Sequence, residues 1–535
     1  MLQACTLACG LIISVFSFSS HATSTDVLAV VEENADRVSF YDPNDNSLSS
    51  LKLGFLPHEI AITKDGKTAY ISNFGIRDYD SGSGTPGASI SVIDIPNHLE
   101  KYRLYTFDPE DSQDYSQIDS APHGVKLRPP FEKELYVNVE KGNKILVYDV
   151  DNRSIIKKIN VSPNTHNIFF SPDGKVLWLM AGRDGVIRLD PDSGQITGTF
   201  TLPTPVRGLK YTPDNRYLMV SAVNQIVFID PETLTLRKQF TNLGVGPILY
   251  SEITPDQKYI LAPAAFDHQV VVIDVGSGKV VKRLITGLNP INVLVSPDAQ
   301  FAYVSNATDK HLTKVDLKTF EFVSIPSHAG PNGLGFVPQF VYQPRKKLLL
   351  GALLPFTGSE DAKGREMMRG YEYWKLKITQ ARGLLIGKQA YDVDIVYLDT
   401  ESKLDNVEKL TLELLNQYKV QALLSTYGPD AYAIEKDMAE KSKLLVTPFL
   451  SHEDSWVPDN LARGWDYFVT TQFYADSYYQ QYNFKSTSYS ASATALGLLL
   501  QNALQTAGTL DYKTVSSVLS NNNFHLFYSF SRTHV

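Results

Sequence analysis

The sequence predicts two joined folds: a seven-bladed β-propeller over residues 26–345, and then an α/β domain with a doubly wound parallel sheet over residues 347–528. Two observations predict this division. A turn motif of the Pro-Asp-Gly type recurs in the first part, and five of its six intervals are about 42 residues long whereas the first is longer. Beyond residue 345 that spacing stops, and apolar strand-like runs alternate with helix-like segments, as in βαβ units.

The propeller is predicted from seven copies of the turn motif. They are anchored near residues 62, 127, 170, 211, 253, 295 and 336. Proline presets φ for a turn and glycine accepts positive φ, so a copy such as residues 171–174 is predicted to form the turn between two strands. Each copy precedes an aromatic and β-branched strand, and the repeat length leaves room for four short strands. That arrangement is typical of a propeller blade.

The two ends of the repeat region complement each other. Residues 27–31 and 37–41 are strand-like but follow no turn motif, whereas the seventh motif near Phe336 lacks a full set of strands after it. We therefore expect the N-terminal strands to complete the last blade. Such closure leaves the ring without an open sheet edge.

Short segments within the repeats carry a family resemblance. Three segments resemble the Tyr-Val-Thr-Asn propeller repeat family: AYISN at 69–73, ELYVN at 134–138 and AYVSN at 302–306. The resemblance covers about 320 residues and implies the fold. That family includes binding scaffolds, surface proteins and a few enzymes, so it implies no single function.

One repeat position is expected to begin the strand that lines the central channel. It lies four residues before each anchor and holds, in order, His58, His123, His166, Arg207, Leu249, Ile291 and Asn332. Imidazoles from separate strands can converge on one metal ion. They can equally hold an anionic ligand beside Arg207, or simply line a water-filled channel. The sequence leaves these three interpretations open and identifies no cofactor.

The second part predicts a sheet covered on both faces. Residues 348–354 form a continuous apolar run, which is typical of a buried parallel strand. The alternating elements that follow are predicted strands at 393–398, 420–424 and 444–447 and predicted helices at 360–378, 406–418 and 430–441.

This part resembles the type I periplasmic binding proteins of branched-chain amino-acid transport. The matching words are LLPFTG at 353–358, GREMMRG at 364–370, VTP at 446–448 and SASATALGLLLQ at 490–501. Members of that family close two lobes around a ligand. Here the terminal helices begin about 40 residues after residue 448, so we expect one lobe only.

The resemblance implies a ligand site on the loops that follow the first-lobe strands. Its predicted residues are Phe356, Thr357, Gly358, Ser425, Thr426, Tyr427, Pro448 and Ser451. Ligands of open α/β sheets bind at the carboxyl ends of the strands. The expected ligand is an amino acid or a related small solute, half exposed unless another surface covers the loops.

The composition and the first residues of the chain indicate its kind of partner and its cellular location. The chain has 58 acidic and 50 basic residues and a formal charge of −8, which argues against nucleic-acid binding. Residues 1–22 carry no charged side chain and include an apolar run at 11–16 that is too short for a membrane span. Ser20-His21-Ala22 resembles a leader cleavage site. We expect a periplasmic or secreted protein without a membrane span.

Three functions are compatible with these features. The first is an exported solute-binding or sensing protein of an ABC transport-type system, and not an enzyme, because the sequence holds no Gly-x-Ser-x-Gly, His-Glu-x-x-His or P-loop motif. The second is an accessory component or enzyme of a quinone-dependent dehydrogenase system, with a ligand or metal at the channel. The third is a propeller that binds a protein partner beside a vestigial α/β domain.

Overall fold

A computed structural model describes most of the chain. The described residues are 26–42, 44–78, 83–84, 86–107, 119–243, 246–338, 345–448 and 471–521. The leader at 1–22 and the predicted ligand residue Ser451 lie outside them. No helix within these ranges is long and apolar enough to cross a membrane.

Seven four-stranded antiparallel sheets form the propeller, which confirms the predicted blade number. The first strands of the chain are β1 (Val27–Glu32), β2 (Arg37–Tyr41) and β3 (Ser47–Lys52). The other blades contain, in chain order, β4 (Pro57–Ile62), β5 (Thr68–Asn73), the inserted hairpin β6 (Ile76–Asp78) and β7 (Ser83–Gly84), β8 (Ser89–Asp94), β9 (Leu99–Tyr105), β10 (Pro122–Leu127), β11 (Glu134–Val139), β12 (Lys144–Asp149), β13 (Ser154–Asn160), β14 (Asn167–Phe170), β15 (Leu177–Met180), β16 (Val186–Leu189), β17 (Ile196–Phe200), β18 (Val206–Tyr211), β19 (Leu218–Ala222), β20 (Gln225–Ile229), β21 (Leu236–Phe240), β22 (Glu252–Ile253), β23 (Tyr259–Ala264), β24 (Gln269–Asp274), β25 (Val280–Leu284), β26 (Pro290–Val295), β27 (Phe301–Asn306), β28 (His311–Asp316), β29 (Phe322–Pro326) and β30 (Pro331–Val337).

The ring closes by pairing the two ends of the repeat region, as predicted. The closing sheet has the order β3-β2-β1-β30, and β1 runs antiparallel to β30 with Val27 opposite Val337 and Val30 opposite Leu334. The N-terminus therefore supplies three strands of this blade. The motif near Phe336 supplies only the innermost strand.

Burial follows strand position within a blade. Second strands such as β5 and β11 bury five of six residues because both of their faces pack on neighbouring blades. Outermost strands such as β13 alternate exposed and half-buried residues. The apolar core therefore lies between the blades, and the innermost strands face the channel.

The α/β domain begins with the long strand β31 (Lys346–Leu354). Its other elements are α1 (Asp361–Gln380), β32 (Leu384–Ile386), β33 (Gln389–Asp399), α2 (Asp405–Glu413) with a π-helical turn at Leu414–Tyr418, β34 (Ala422–Leu424), α3 (Pro429–Lys441), β35 (Leu445–Val446), α4 (Thr471–Tyr482), α5 (Ser488–Ala507) and α6 (Tyr512–Asn521). The sheet has the order β32-β33-β31-β34-β35.

The sheet is mixed, which corrects the prediction of a wholly parallel sheet. Strands β33, β31, β34 and β35 are parallel, but β32 runs antiparallel to β33. Only Gly387 and Lys388 separate β32 from β33. So short a connection joins antiparallel neighbours only, because a parallel pair needs a crossover of a dozen residues or more. That this domain is a type I binding-protein lobe stays a prediction.

The strand order creates a switch point between β31 and β34. The chain leaves β31 through α1 to β33 on one side and returns through α2 to β34 on the other side of β31. Helices α1 and α5 cover one face, where Gly497 lets the two helices approach closely. A Cβ at Gly497 would lie 2.4 Å from the Trp374 ring. A switch point leaves a crevice at the carboxyl ends of its strands.

The two domains touch through β9 of the propeller. Leu99 packs against Leu385 and Ala390 in a small buried cluster. The Gln505 side chain adds a polar contact by donating to the Lys101 carbonyl at 2.6 Å.

Candidate functional site

Three neighbouring inner strands bring the channel histidines together. His58 and His123 are the second residues of β4 and β10, and His166 directly precedes β14. The ring centroids of His58 and His123 lie 4.2 Å apart, and those of His123 and His166 lie 3.9 Å apart. The three imidazoles thus form one contiguous cluster.

Carboxylates and an amide hold the two outer rings. His166 Nδ1 lies 2.8 Å from Glu140 Oε1. His58 Nδ1 lies 2.9 Å from Asn332 Nδ2 and 3.3 Å from Glu33 Oε2, and the same Asn332 amide donates to Glu33 at 2.8 Å. A hydrogen bond at Nδ1 fixes the orientation of an imidazole and leaves Nε2 for another partner.

His123 lies between these rings and is fully buried. Within the described structure neither of its ring nitrogens has a hydrogen-bond partner. Burial, and then the neighbouring His166 and His58, hold the pKa of His123 well below its usual value. The ring is therefore neutral at pH 7, and one nitrogen carries an available lone pair.

A second network crosses the channel below the histidines. Glu59 accepts from Lys126 Nζ at 3.1 Å and from the Asn167 amide at 3.0 Å, and Asn167 also donates to the Tyr250 hydroxyl at 3.1 Å. Burial alone would raise the pKa of Glu59, but Lys126 and His58 outweigh it and lower that pKa. The carboxylate therefore stays charged beside the cluster.

Arg207 does not join the histidines. It lies half-buried on β18 and makes no hydrogen bond or ion pair with any described residue. The cluster instead contains the carboxylates of Glu33, Glu59 and Glu140 beside the single ammonium of Lys126. This balance favours a cation over the anion that the sequence left open.

The three carboxylates were missed from the sequence, although the repeat carried a signal for two of them. Glu33 and Glu140 each begin a 3-10 turn between the second and third strands of their blades. Their side chains therefore reach the channel at equivalent points of two blades. Aligning this turn position, and not only the position before each anchor, would have found them.

The loops at the carboxyl ends of β31, β34 and β35 carry the other predicted site residues that the structure describes. Thr357 Oγ1 donates to Asp399 Oδ2 at 2.8 Å, and the backbone N–H of Phe356 donates to Asp399 Oδ1 at 2.8 Å. Burial would raise the pKa of Asp399, but these donors and the Glu401 N–H lower it overall. Thr357 thus secures its own loop to the end of β33.

The loop after β34 is held from both faces of the sheet. Tyr371 of α1 donates its hydroxyl to the Ser425 carbonyl at 2.9 Å, and the Thr426 N–H donates to Glu435 of α3 at 2.9 Å. The hydroxyls of Ser425 and Thr426 are buried and have no hydrogen-bond partner among the described residues. Two buried hydroxyls at a switch point thus lack the hydrogen bonds that buried polar groups usually make.

A charged and aromatic rim lies next to these hydroxyls. Lys363 Nζ donates to the Tyr427 hydroxyl at 2.9 Å and pairs with Glu360 at 2.7 Å, and the rings of Tyr427 and Tyr489 lie 6.0 Å apart. Helix α3 begins at Pro429 without a side chain capping its first N–H groups. The lysine and the helix N-terminus both favour an anionic group.

The remaining predicted ligand residues are Gly358, Pro448 and Ser451. Gly358 is exposed at φ +88°, and Pro448 is half-buried in the loop that follows β35. Ser451 lies outside the described residues, so its part in the site stays a prediction.

A cavity of about 260 Å³ lies between the two domains. Its lining includes Lys52, Tyr102, Arg103, Lys377, Gln501 and Gln505. Burial, and then Lys52 and Arg103, lower the pKa of Lys377 to about 8. Like charges meeting at a domain interface weaken the folded state there.

We expect Lys377→Met to stabilise the protein at pH 7. In the native state Lys377 loses its proton near pH 8, whereas in the unfolded chain it does so near pH 10.5. The unfolded state therefore binds more protons between these values, and stability rises with pH across that window. Denaturant unfolding at several pH values should show a smaller rise in the variant. The matched control, Lys375→Met, removes a lysine paired with Asp394 at 3.3 Å and should not stabilise.

Comparison with known proteins gives limited similarity. No protein-family profile matches the chain. Antigen Lp49 of Leptospira interrogans is 27% identical over 225 residues, which is 41% of this chain and 39% of that protein. The match thus spans well under half of that relative's length.

Solved structures resemble part of this chain at low similarity. Hydrazine synthase from Kuenenia stuttgartiensis is 19% identical with a TM-score of 0.43, covering 59% of this chain and 99% of that one. Dihydro-heme d1 dehydrogenase NirN is 16% identical with a TM-score of 0.42, covering 59% of this chain and 76% of that one. Likeness at this level says nothing about activity.

Proposed function

We propose that this protein binds a small carboxylate-bearing solute, an amino acid among them, in the crevice between β31 and β34, and that it does so outside the cytoplasm. The observation that carries the proposal is the pair of buried, unpartnered hydroxyls of Ser425 and Thr426. Leaving a polar group buried without a partner costs about 1–3 kcal/mol, so a ligand that accepts from both hydroxyls is favoured.

The charges around the crevice support a carboxylate-bearing ligand. A carboxylate bound to these hydroxyls lies at the N-terminal end of α3, where the helix dipole favours negative charge. The Lys363 ammonium and the Tyr427 and Tyr489 rings form the rim. Binding rather than catalysis is proposed, because the described residues of this crevice present hydroxyls and a lysine but no nucleophile paired with a base.

Titration calorimetry with a panel of amino acids, amides and small organic acids tests the proposal. We expect a carboxylate-bearing compound to bind and Thr426→Val to weaken it about tenfold to a hundredfold, since hydrogen bonds to charged groups contribute about 1.5–3 kcal/mol. The isosteric change removes the hydroxyl alone.

Thr411→Val is the matched control. Thr411 is equally buried in the same domain, but its hydroxyl donates to the Val407 carbonyl of its own helix at 2.8 Å. Its substitution should leave affinity unchanged. The proposal is wrong if no member of the panel binds, or if both variants bind as the wild type does.

A further inference from the structure

We propose that the channel cluster is a binding site for a divalent transition metal of the Zn²⁺ class, with His123, His166 and Glu140 as ligands. One ligand atom from each of these three residues lies within 4.8 Å of the others. Zinc bonds of about 2.0–2.1 Å place donor atoms roughly 3.4 Å apart, so inward rotation of the side chains is enough to complete the site. Three protein ligands leave a fourth position for water.

His123 points to an occupant rather than to packing alone. A buried imidazole whose two nitrogens both lack a partner carries a desolvation cost that van der Waals contacts do not remove. The ring neighbours of His123 are His58, His166 and Phe74, and no described residue gives either nitrogen a hydrogen bond. A metal ion that accepts the lone pair of one nitrogen lowers this desolvation cost.

The surrounding groups match those of metal centres. Metal-binding histidines usually donate their second ring nitrogen to a carboxylate, which sets the tautomer and the ring orientation. His58 has such a contact with Glu33, whereas the contact between His166 and Glu140 joins two of the proposed ligands. His58, whose ring is 4.2 Å from that of His123, stands beside the site as a positioning residue.

Donor chemistry selects the kind of ion. Two imidazoles and one carboxylate suit Zn²⁺ and its neighbours in the first transition row, whereas Ca²⁺ and Mg²⁺ take oxygen ligands. The carboxylates of Glu33, Glu59 and Glu140 compensate the ionic charge. The side chains of His166 and Glu140 are 18% and 11% exposed, so an ion can reach the site from solvent.

Metal titration of the full chain tests this site. Untagged protein is stripped with a chelator and titrated with Zn²⁺ by calorimetry, and with Co²⁺ by visible absorption. We expect one ion per chain, a ligand-field spectrum typical of four-coordinate Co²⁺, and a higher melting temperature with Zn²⁺. His123→Ala, His166→Gln and Glu140→Gln should each weaken binding at least about tenfold.

Two comparisons make the result decisive. His268→Ala removes an exposed histidine of another blade and should bind as the wild type does. Circular dichroism of the stripped proteins identifies variants that fail to fold. If His123→Ala unfolds, the partly exposed His166→Gln carries the test. Absence of Zn²⁺ and Co²⁺ binding to the wild type overturns the proposal, as does equal affinity in wild type, His166→Gln and Glu140→Gln.

Discussion

Deletion of residues 26–53 should unfold the entire propeller and not a single blade. This segment supplies β1, β2 and β3, which are three of the four strands in the closing sheet. Without it β30 loses its partner, and the blades on both sides of the gap expose apolar faces to water. Hydrogen exchange resolved by peptide should show lost protection in all seven innermost strands.

A single substitution tests the same closure while changing less of the chain than the deletion does. Val30 is fully buried in β1 opposite Leu334, so Val30→Asp buries an unpaired carboxylate and should destabilise the ring by several kcal/mol. Leu48→Asp is the matched control, because Leu48 on β3 is 41% exposed. Retained protection outside the closing blade after the deletion would show that the blades do not depend on closure.

The repeat made the propeller predictable. The blades are separated by local turns, and the residues Pro, Asp and Gly identify each turn in the sequence. Closure was predictable for a related reason: strands without a motif at one end matched a motif without strands at the other. The channel position of His58, His123 and His166 followed from the same register.

The partners of those histidines were not predictable from one register. Glu33, His58 and Asn332 meet only because the ring closes, and Glu33 and Asn332 are 299 residues apart in the chain. Arg207 shares the register of the histidines, yet it makes no hydrogen bond or ion pair with them among the described residues. A repeat position specifies the strand a residue occupies, but the neighbours of that residue depend on side-chain packing.

The α/β domain shows the same limit. Alternating periodicity predicted its helices and parallel strands, but the direction of β32 depends on the two-residue turn before β33. That Thr357 contacts a ligand stays a prediction, and in the structure its hydroxyl donates to Asp399. The hydroxyls of Ser425 and Thr426 have no such partner among the described residues, which is why we base the proposed function on them.

Raising the pH from about 4.5 to 8 should weaken the α/β domain through one buried carboxyl, Glu435. Burial raises the pKa of Glu435 to about 8, and the Thr426 N–H offsets this only in part. Tyr371, the titratable group that it faces, stays neutral because burial raises its pKa too. The folded protein therefore holds a proton that the unfolded chain releases near pH 4.5, so stability falls as pH rises from about 4.5 to 8.

Glu435→Gln should remove this pH dependence and stabilise the domain above pH 8 by up to several kcal/mol, since each pK unit corresponds to about 1.4 kcal/mol. Denaturant unfolding across this range, with hydrogen exchange of β34 and α3 peptides, measures it. Glu440→Gln, an exposed change on the same helix, should leave the pH profile of stability unchanged.

Because Glu435 accepts from the Thr426 N–H, its ionisation also places negative charge behind the proposed solute site. Carboxylate binding should therefore weaken above pH 8 in the wild type and persist in Glu435→Gln. An unchanged stability profile in that variant would contradict a protonated Glu435.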